Sequence, residues 1–130
     1  MLSVSRRIAA PPERLWELLV DVATWPDWGP SVAGIELATA TIGPGSRGVV
    51  RTAVGASLPF EVTSFEATSF ESGRSWAWSV AGVPATGHEV RAAEGGCVVT
   101  FTVPWWAPAY LPVCALALRR LEGLAQSSPG

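Results

Sequence analysis

Lysine is absent from this 130-residue chain, and all nine of its basic residues are arginine. The arginines stand singly or in pairs and form no basic stripe, so the phosphate-tracking surface of a nucleic-acid-binding protein is not expected. Charge of either sign is scarce: 15% of residues are charged against 48% hydrophobic, and the net charge is −2. That balance describes a globular chain with a thinly charged surface. Long apolar runs are also missing. None approaches the roughly 18–20 residues a membrane span needs, and the N-terminus has no apolar signal-peptide core. A cytoplasmic protein without an integral membrane segment is the expectation.

Metal-binding and nucleophilic residue types are few. Cys97 and Cys114 are the only cysteines and His88 the only histidine. One histidine and two separated cysteines cannot build a usual zinc site, and the two thiols read as buried and unpaired. There is no phosphate loop, no dinucleotide-binding glycine fingerprint and no G-x-S-x-G elbow. The glycines of "GPGSRG" (43–48) precede a strand, which makes them a turn. No cofactor and no metal are expected.

Tryptophan, by contrast, is plentiful: seven against four phenylalanines and one tyrosine. Burying one indole removes roughly 150–250 Å² from water, on the order of 4–6 kcal/mol. Several exposed indoles would be costly, so they belong to a core, a cavity or an interface. Trp25 and Trp28 crowd into "DVATWPDWGPSV" (21–32), directly after a helical pattern. Pro26 and Pro30 disfavour helix at the residues before them, so this stretch is a broken elbow with about one helical turn.

Around the elbow the pattern is legible. "LSVSRRI" (2–8) alternates as a first strand, and 11–22 carries Leu15, Leu18, Leu19 and Val22 at helical spacing. Pro12 suits a first turn, whereas Pro11 is a poor N-cap. Six strand-like runs follow at 31–40, 49–54, 58–66, 75–80, 85–92 and 97–103, with "AEGG" as a hairpin turn between the last two. Residues 107–126 then read as a long helix, regular from Leu111, whose apolar stripe is Leu111, Cys114, Ala115, Leu118, Leu121 and Ala125. "SSPG" (127–130) is a frayed, disordered tail. The order gives one domain over 1–126, an α+β fold in which a twisted antiparallel sheet wraps a single apolar helix. The space between them becomes a cavity where side chains do not fill it.

The segment from Ile8 through Pro12, Trp16, Asp21, Trp25-Pro26, Trp28 and Pro30 resembles the opening of the START-like helix-grip superfamily, in particular its bacterial polyketide cyclase/dehydrase branch. "FEVTSFE", "SWAWSV", "GHEV" and the closing "ALRRLEGLAQ" are similar to the same branch, so the resemblance spans essentially the whole chain. It implies a seven-stranded curved antiparallel sheet around a long C-terminal helix, two short N-terminal helices and a hydrophobic pocket between sheet and helix. Members bind lipids, polyketides, quinones or hormones, and a minority catalyse cyclisation or dehydration. On that fold Trp25 and Trp28 would wall one mouth of the pocket, as a gate or as a structural plug.

Alternation aims His88, Thr86 and Val90 inward and Glu89 and Arg91 outward, so His88 is either a ligand-reading imidazole or a satisfied core histidine. Trp76, Trp78 and Val80 share one strand face and point to the interior, joined there by Phe60, Val62, Val99 and Phe101. Of Trp105 and Trp106, one faces in and its neighbour sits at the rim. The expected ligand-binding set is Trp28, Phe60, Val62, Trp76, Trp78, His88, Phe101 and Leu111. Any proton chemistry would fall to His88, Tyr110 or Arg51, the last only if it points inward. Glu13 and Glu17 read as a solvated pair, not a catalytic one.

Three functions compete on these grounds. The first is binding or transport of a small hydrophobic molecule such as a lipid, a polyketide or another aromatic or isoprenoid compound. The second is a polyketide cyclase or dehydrase, in which confinement supplies proximity and one or two groups move protons. The third is an interaction subunit with an exposed tryptophan patch. Monomer and homodimer are both open.

Overall fold

The computed structural model describes residues 2–127. Strand β1 (Leu2–Ile8) leads into helix α1 (Pro12–Val20), a 3₁₀ turn (Val22–Thr24) and the four-residue helix α2 (Trp25–Trp28). Strands β2 (Val32–Glu36), β3 (Arg47–Thr52), β4 (Ser57–Glu66), β5 (Arg74–Val80), β6 (Val83–Ala93) and β7 (Gly96–Val103) follow. A second 3₁₀ turn (Pro108–Tyr110) then opens helix α3 (Leu111–Gln126). The expected tail lies, from Ser128 onward, outside the described residues.

All seven strands form one antiparallel sheet in the order β1-β7-β6-β5-β4-β3-β2. Its inner face follows from period-two alternation: Val4 pairs Phe101, Ile8 pairs Cys97, Val90 pairs Val99 and Trp76 pairs His88 across neighbouring strands. Register shifts at Val32/Gly34, Val62/Ser64 and Ala77/Ser79 mark bulges, which bend a sheet locally. Helix α3 lies in the resulting concavity. Its fully buried residues are Cys114, Ala117, Leu118 and Leu121, a stripe at i, i+3, i+4, i+7. Ala117 takes the place expected of Ala115, and Leu111 and Ala125 flank the stripe half-buried. A bond of 2.7 Å from Arg6 to Glu122 ties the C-terminal half of the helix to β1.

The elbow explains its own tryptophans. A helix leaves its last four carbonyls without partners inside the helix. At the end of α1 each finds one. Asp21 N–H donates to Glu17 O, Trp25 Nε1–H to Leu19 O at 2.9 Å, and Ile42 N–H to Val20 O. Leu18 O accepts both the Thr24 hydroxyl, at 2.7 Å, and Trp28 Nε1–H, at 3.1 Å. The two indoles therefore satisfy buried backbone groups while contributing their area to the core. Pro11 does occupy the N-cap of α1 and supplies no side-chain bond there.

Several strand limits differ from the sequence expectation. β2 ends at Glu36 and not at 40, because residues beyond it cross to the end of α1 and the 3₁₀ turn after it, where Ala40 O accepts Val22 N–H and Ile42 N–H donates to Val20 O. β3 starts two residues earlier than expected, at Arg47, and ends at Thr52. β6 begins at Val83, so β5 and β6 are joined by only Ala81 and Gly82, both with positive φ (52° and 77°). That is the backbone of a two-residue hairpin turn, with a non-glycine residue at its first position.

Candidate functional site

The centre of the sheet–helix space is filled by rings. Trp25 stacks on Trp76 with centroids 5.2 Å apart and planes 5° from parallel. Trp78 meets Trp25 and Phe60 edge-on, each at 5.4 Å, and Trp28 meets Phe101 at 5.8 Å. Phe60 also covers Gly48, where an added Cβ would come within 2.8 Å of the phenyl ring. What remains beside this pile is a small chamber of about 40 Å³ lined by Trp28, Trp76, His88, Phe101 and Cys114 among others. That is space on the scale of a water molecule or two.

The larger space lies beyond the pile, at the end of the sheet where β3, β5 and β7 finish and β2, β4 and β6 begin. It has a volume of about 340 Å³, at the lower end of the roughly 300–1,000 Å³ typical of small-molecule sites. Val50, Trp78, Val80 and Val103 form apolar walls, and Val83 and Trp106, 47% and 52% exposed, bring it to the surface. Its side-chain polar groups are uncharged, the hydroxyls of Ser31, Thr52, Thr86 and Tyr110 and the indole N–H groups of Trp78 and Trp106, and no lining residue carries a carboxylate, guanidinium or ammonium group.

Ser31, Val32, Trp78, Thr86 and Tyr110 line both spaces and so stand at their junction. The hydroxyls of Ser31 and Tyr110 are hydrogen-bonded to each other on one side. On the other side runs a chain of three bonds whose polarity is fixed by its last acceptor. His88 Nδ1 lies 3.3 Å from the Trp76 carbonyl, which can only accept, so Nδ1 carries the proton. Nε2 of the neutral ring then accepts from the Thr86 hydroxyl at 2.8 Å, and Thr86 Oγ1 accepts Trp78 Nε1–H at 3.0 Å. Each nitrogen of His88 is used. The ring is 5% exposed, lies 4.0 Å from the Trp76 ring and 4.7 Å from Phe101, and burial lowers its pKa to about 3. It is neutral at physiological pH, with no free nitrogen to exchange a proton with a ligand.

The residues expected from sequence thus fall into three places. Trp78 and Tyr110 line the large cavity. Trp28, Trp76, His88 and Phe101 sit at the small chamber below it. Phe60 and Val62 are buried in the aromatic pile and sheet core, and Leu111 is half-buried against the core; none of the three lines either space. Arg51 is exposed on the outer face of β3, between inward-facing Val50 and Thr52, and its guanidinium covers Gly34. The inward condition attached to it is not met. Of the tryptophan pair, Trp106 lines the cavity and Trp105 stands outside it, 77% exposed.

Sequence reasoning passed over Ser31, Thr52, Val103 and Val83. The signal for two of them was present: Thr52 continues the inward alternation of Val50, and Val103 that of Val99 and Phe101. Small residues at the ends of such faces are where unfilled volume collects. Cys97 and Cys114 are free, buried thiols whose pKa desolvation raises to about 11. No group of three metal-ligating side chains occurs among the described residues. No helix among them is long and apolar enough to cross a membrane.

The geometry can be set beside known proteins. A Chromobacterium violaceum protein, CV1439, superposes with a TM-score of 0.68 at 19% identity, over 98% of this chain and 97% of that one. A Mesorhizobium loti protein, MLL2253, gives 0.71 at 18% identity over 98% of both chains. Ara h 8.0201 gives 0.63 at 17% identity, over 98% of this chain and 97% of its own. At these identities the likeness is one of fold. No curated protein matches the sequence. The family model described as polyketide cyclase / dehydrase and lipid transport matches residues 1–125. With seven antiparallel strands gripping a C-terminal helix and a match along nearly its entire length, the chain belongs to the polyketide cyclase/dehydrase and lipid transport family.

Proposed function

We propose that this protein binds a small, uncharged, largely apolar molecule carrying one or two hydroxyl or carbonyl groups. The cavity of about 340 Å³ carries this reading, because its walls are apolar and its side-chain polar groups, hydroxyls and two indole N–H groups, are all uncharged. An ionised ligand placed there would lose its hydration and gain no counter-charge, which costs several kcal/mol. A neutral polycyclic phenol or ketone loses little, and its oxygen meets Ser31, Tyr110 or Thr86 at the cavity floor. The reading accords with a family whose description joins polyketide chemistry to lipid transport.

Binding is favoured over cyclisation by the state of His88. A general acid or base needs a nitrogen within reach of the substrate, and both nitrogens here are engaged by Trp76 and Thr86. Tyr110 brings a phenol to the cavity, and its hydroxyl is already paired with Ser31.

The test is a fluorescence titration that uses the indole of Trp78 in the cavity wall. Neutral 2-naphthol should quench with a dissociation constant at least about tenfold lower than that of 2-naphthoate, whose carboxylate finds no partner. Val80→Trp, which places an indole in the cavity, should abolish the response. Equal affinity for the two probes, or an unaltered titration in the Val80→Trp protein, would overturn the proposal.

A further inference from the structure

The charges of this molecule are distributed unevenly along the strand axis. Residues 28–35, 52–60, 75–88 and 95–118 contain no aspartate, glutamate, lysine or arginine. The strand order and register bring these stretches together: β3, β5 and β7 end, and β2, β4 and β6 begin, at the end of the sheet where the cavity lies. The opposite end carries Glu36, Arg47, Glu66, Glu71, Arg74 and Glu94 in or beside its turns. Asp27 on α2 and Arg51 on the outer face of β3, one of each sign, border two of these stretches in sequence.

The charge-free end also holds the large apolar side chains the protein exposes most. Val54 is 91% exposed in the β3–β4 turn, Trp105 is 77% exposed after β7, and Trp106 and Val83 are half-exposed at the cavity opening. A single exposed apolar side chain needs no explanation. Four at one end of the sheet, two of them at the cavity opening, on three segments without a charge among them, form a surface that gains by leaving water.

We propose that this end docks on a lipid bilayer, with Trp105 and Val54 entering the boundary between headgroups and acyl chains. Indole suits that depth, because its ring is apolar and its N–H meets the polar layer. Charge complementarity favours this occupant: the uncharged tip faces the uncharged acyl boundary, and the charged end stays in water. The position of the cavity selects a bilayer over a protein partner, since an apolar ligand can pass between acyl layer and cavity without crossing water. That choice of occupant rests on the binding function proposed above. No arginine ring surrounds the tip and the net charge is −2, so anionic headgroups provide no attraction.

The experiment is flotation of the purified protein with vesicles of phosphatidylcholine, alone or with about one-third phosphatidylglycerol. The protein should float with both to the same extent, unchanged between about 0.1 and 0.5 M salt, conditions over which surface electrostatics are strongly screened. The double variant Trp105→Ser with Val54→Ser should bind vesicles at least about tenfold more weakly. Neither residue lines the cavity, so its 2-naphthol titration should match the wild type; that readout separates a failure of docking from a failure of ligand binding. Three results would overturn the proposal: no flotation, flotation only with anionic vesicles and lost in salt, or a doubled mass in light scattering that the double variant abolishes. The last would make the patch an interface between copies of this chain.

Discussion

The state of His88 can be tested through acid stability. The group is buried, its pKa is lowered from 6.5 to about 3 by desolvation, and the weaker bond to Trp76 opposes that shift. Between those values the unfolded chain binds a proton that the folded chain refuses. Stability is therefore unaffected by this group above pH 6.5 and declines as pH falls toward 3. The slope approaches about 1.4 kcal/mol per pH unit. At pH 5, which lies 1.5 units below 6.5, the loss is about 2 kcal/mol, and at pH 4 about 3 kcal/mol. The full loss, about 5 kcal/mol, would develop only below pH 3, and it is comparable to the whole stability of many domains. Urea unfolding between pH 7.5 and 4, on wild type and His88→Phe, isolates the contribution because the carboxylates are common to both. Phenylalanine keeps a ring against Trp76 and Phe101 and removes the titration. The wild type should lose about 2 kcal/mol more than the variant between pH 7.5 and 5. The single imidazole C2–H resonance should also show no native-state titration near 6.5. Parallel pH profiles, or a native imidazole that titrates in the ordinary range, would refute the sealed, neutral histidine and return it to the list of proton-transfer candidates.

Two further predictions concern the scaffold. Trp25→Ala removes the stacked partner of Trp76 and the donor to Leu19 O, so it should cost about 3–5 kcal/mol by urea unfolding. Trp25→Phe, which keeps a ring but loses the bond and part of the indole's buried volume, should cost less, about 1–3 kcal/mol; a loss below about 1 kcal/mol for alanine would mean a gate and not a plug. Ala81 holds φ at 52°, a left-handed conformation that costs an L-residue about 1–2 kcal/mol. Ala81→Asn, giving the favoured Asn-Gly turn, should stabilise by about 0.5–1 kcal/mol in thermal melts.

The strands and the stripe of α3 were legible because the signals are local and periodic. Trp76, Trp78 and Val80 on one face, or Cys114 and Leu118 on another, declare an inside and an outside without reference to the rest of the chain. The turn at Ala81–Gly82 was not legible, because alanine gives no sign of a left-handed conformation; the hairpin is imposed by pairing of Val80 with Val83. The capping of α1 by indoles was hidden for a different reason. It depends on where Trp25 and Trp28 return after the chain reverses, a property of the elbow and not of spacing. The cavity was legible only in kind. Alternation tells which side chains point inward, but whether they meet depends on the sum of their volumes. The large rings at Trp25, Phe60, Trp76 and Trp78 close the middle of the sheet, while Ser31, Val50, Thr52, Val80 and Val103 are too small to close its end.

That division of volume ties stability to function. An open cavity forfeits packing contacts on its walls, so a small domain retains one only if the rest of its core is dense. Here five aromatic residues are linked through ring contacts with centroids 5.2–6.3 Å apart, and both indole N–H groups of the elbow are spent on backbone carbonyls. The histidine that could have been a reactive group is part of this dense region, held by Trp76 and Thr86. The polar side-chain groups lining the cavity are hydroxyls and indole N–H groups, which hydrogen-bond but carry no charge. A site built this way discriminates by volume and by the absence of charge on its ligand. Removing the density under it, as Trp25→Ala does, should therefore weaken 2-naphthol binding and lower stability together, whereas Trp105→Ser should change neither.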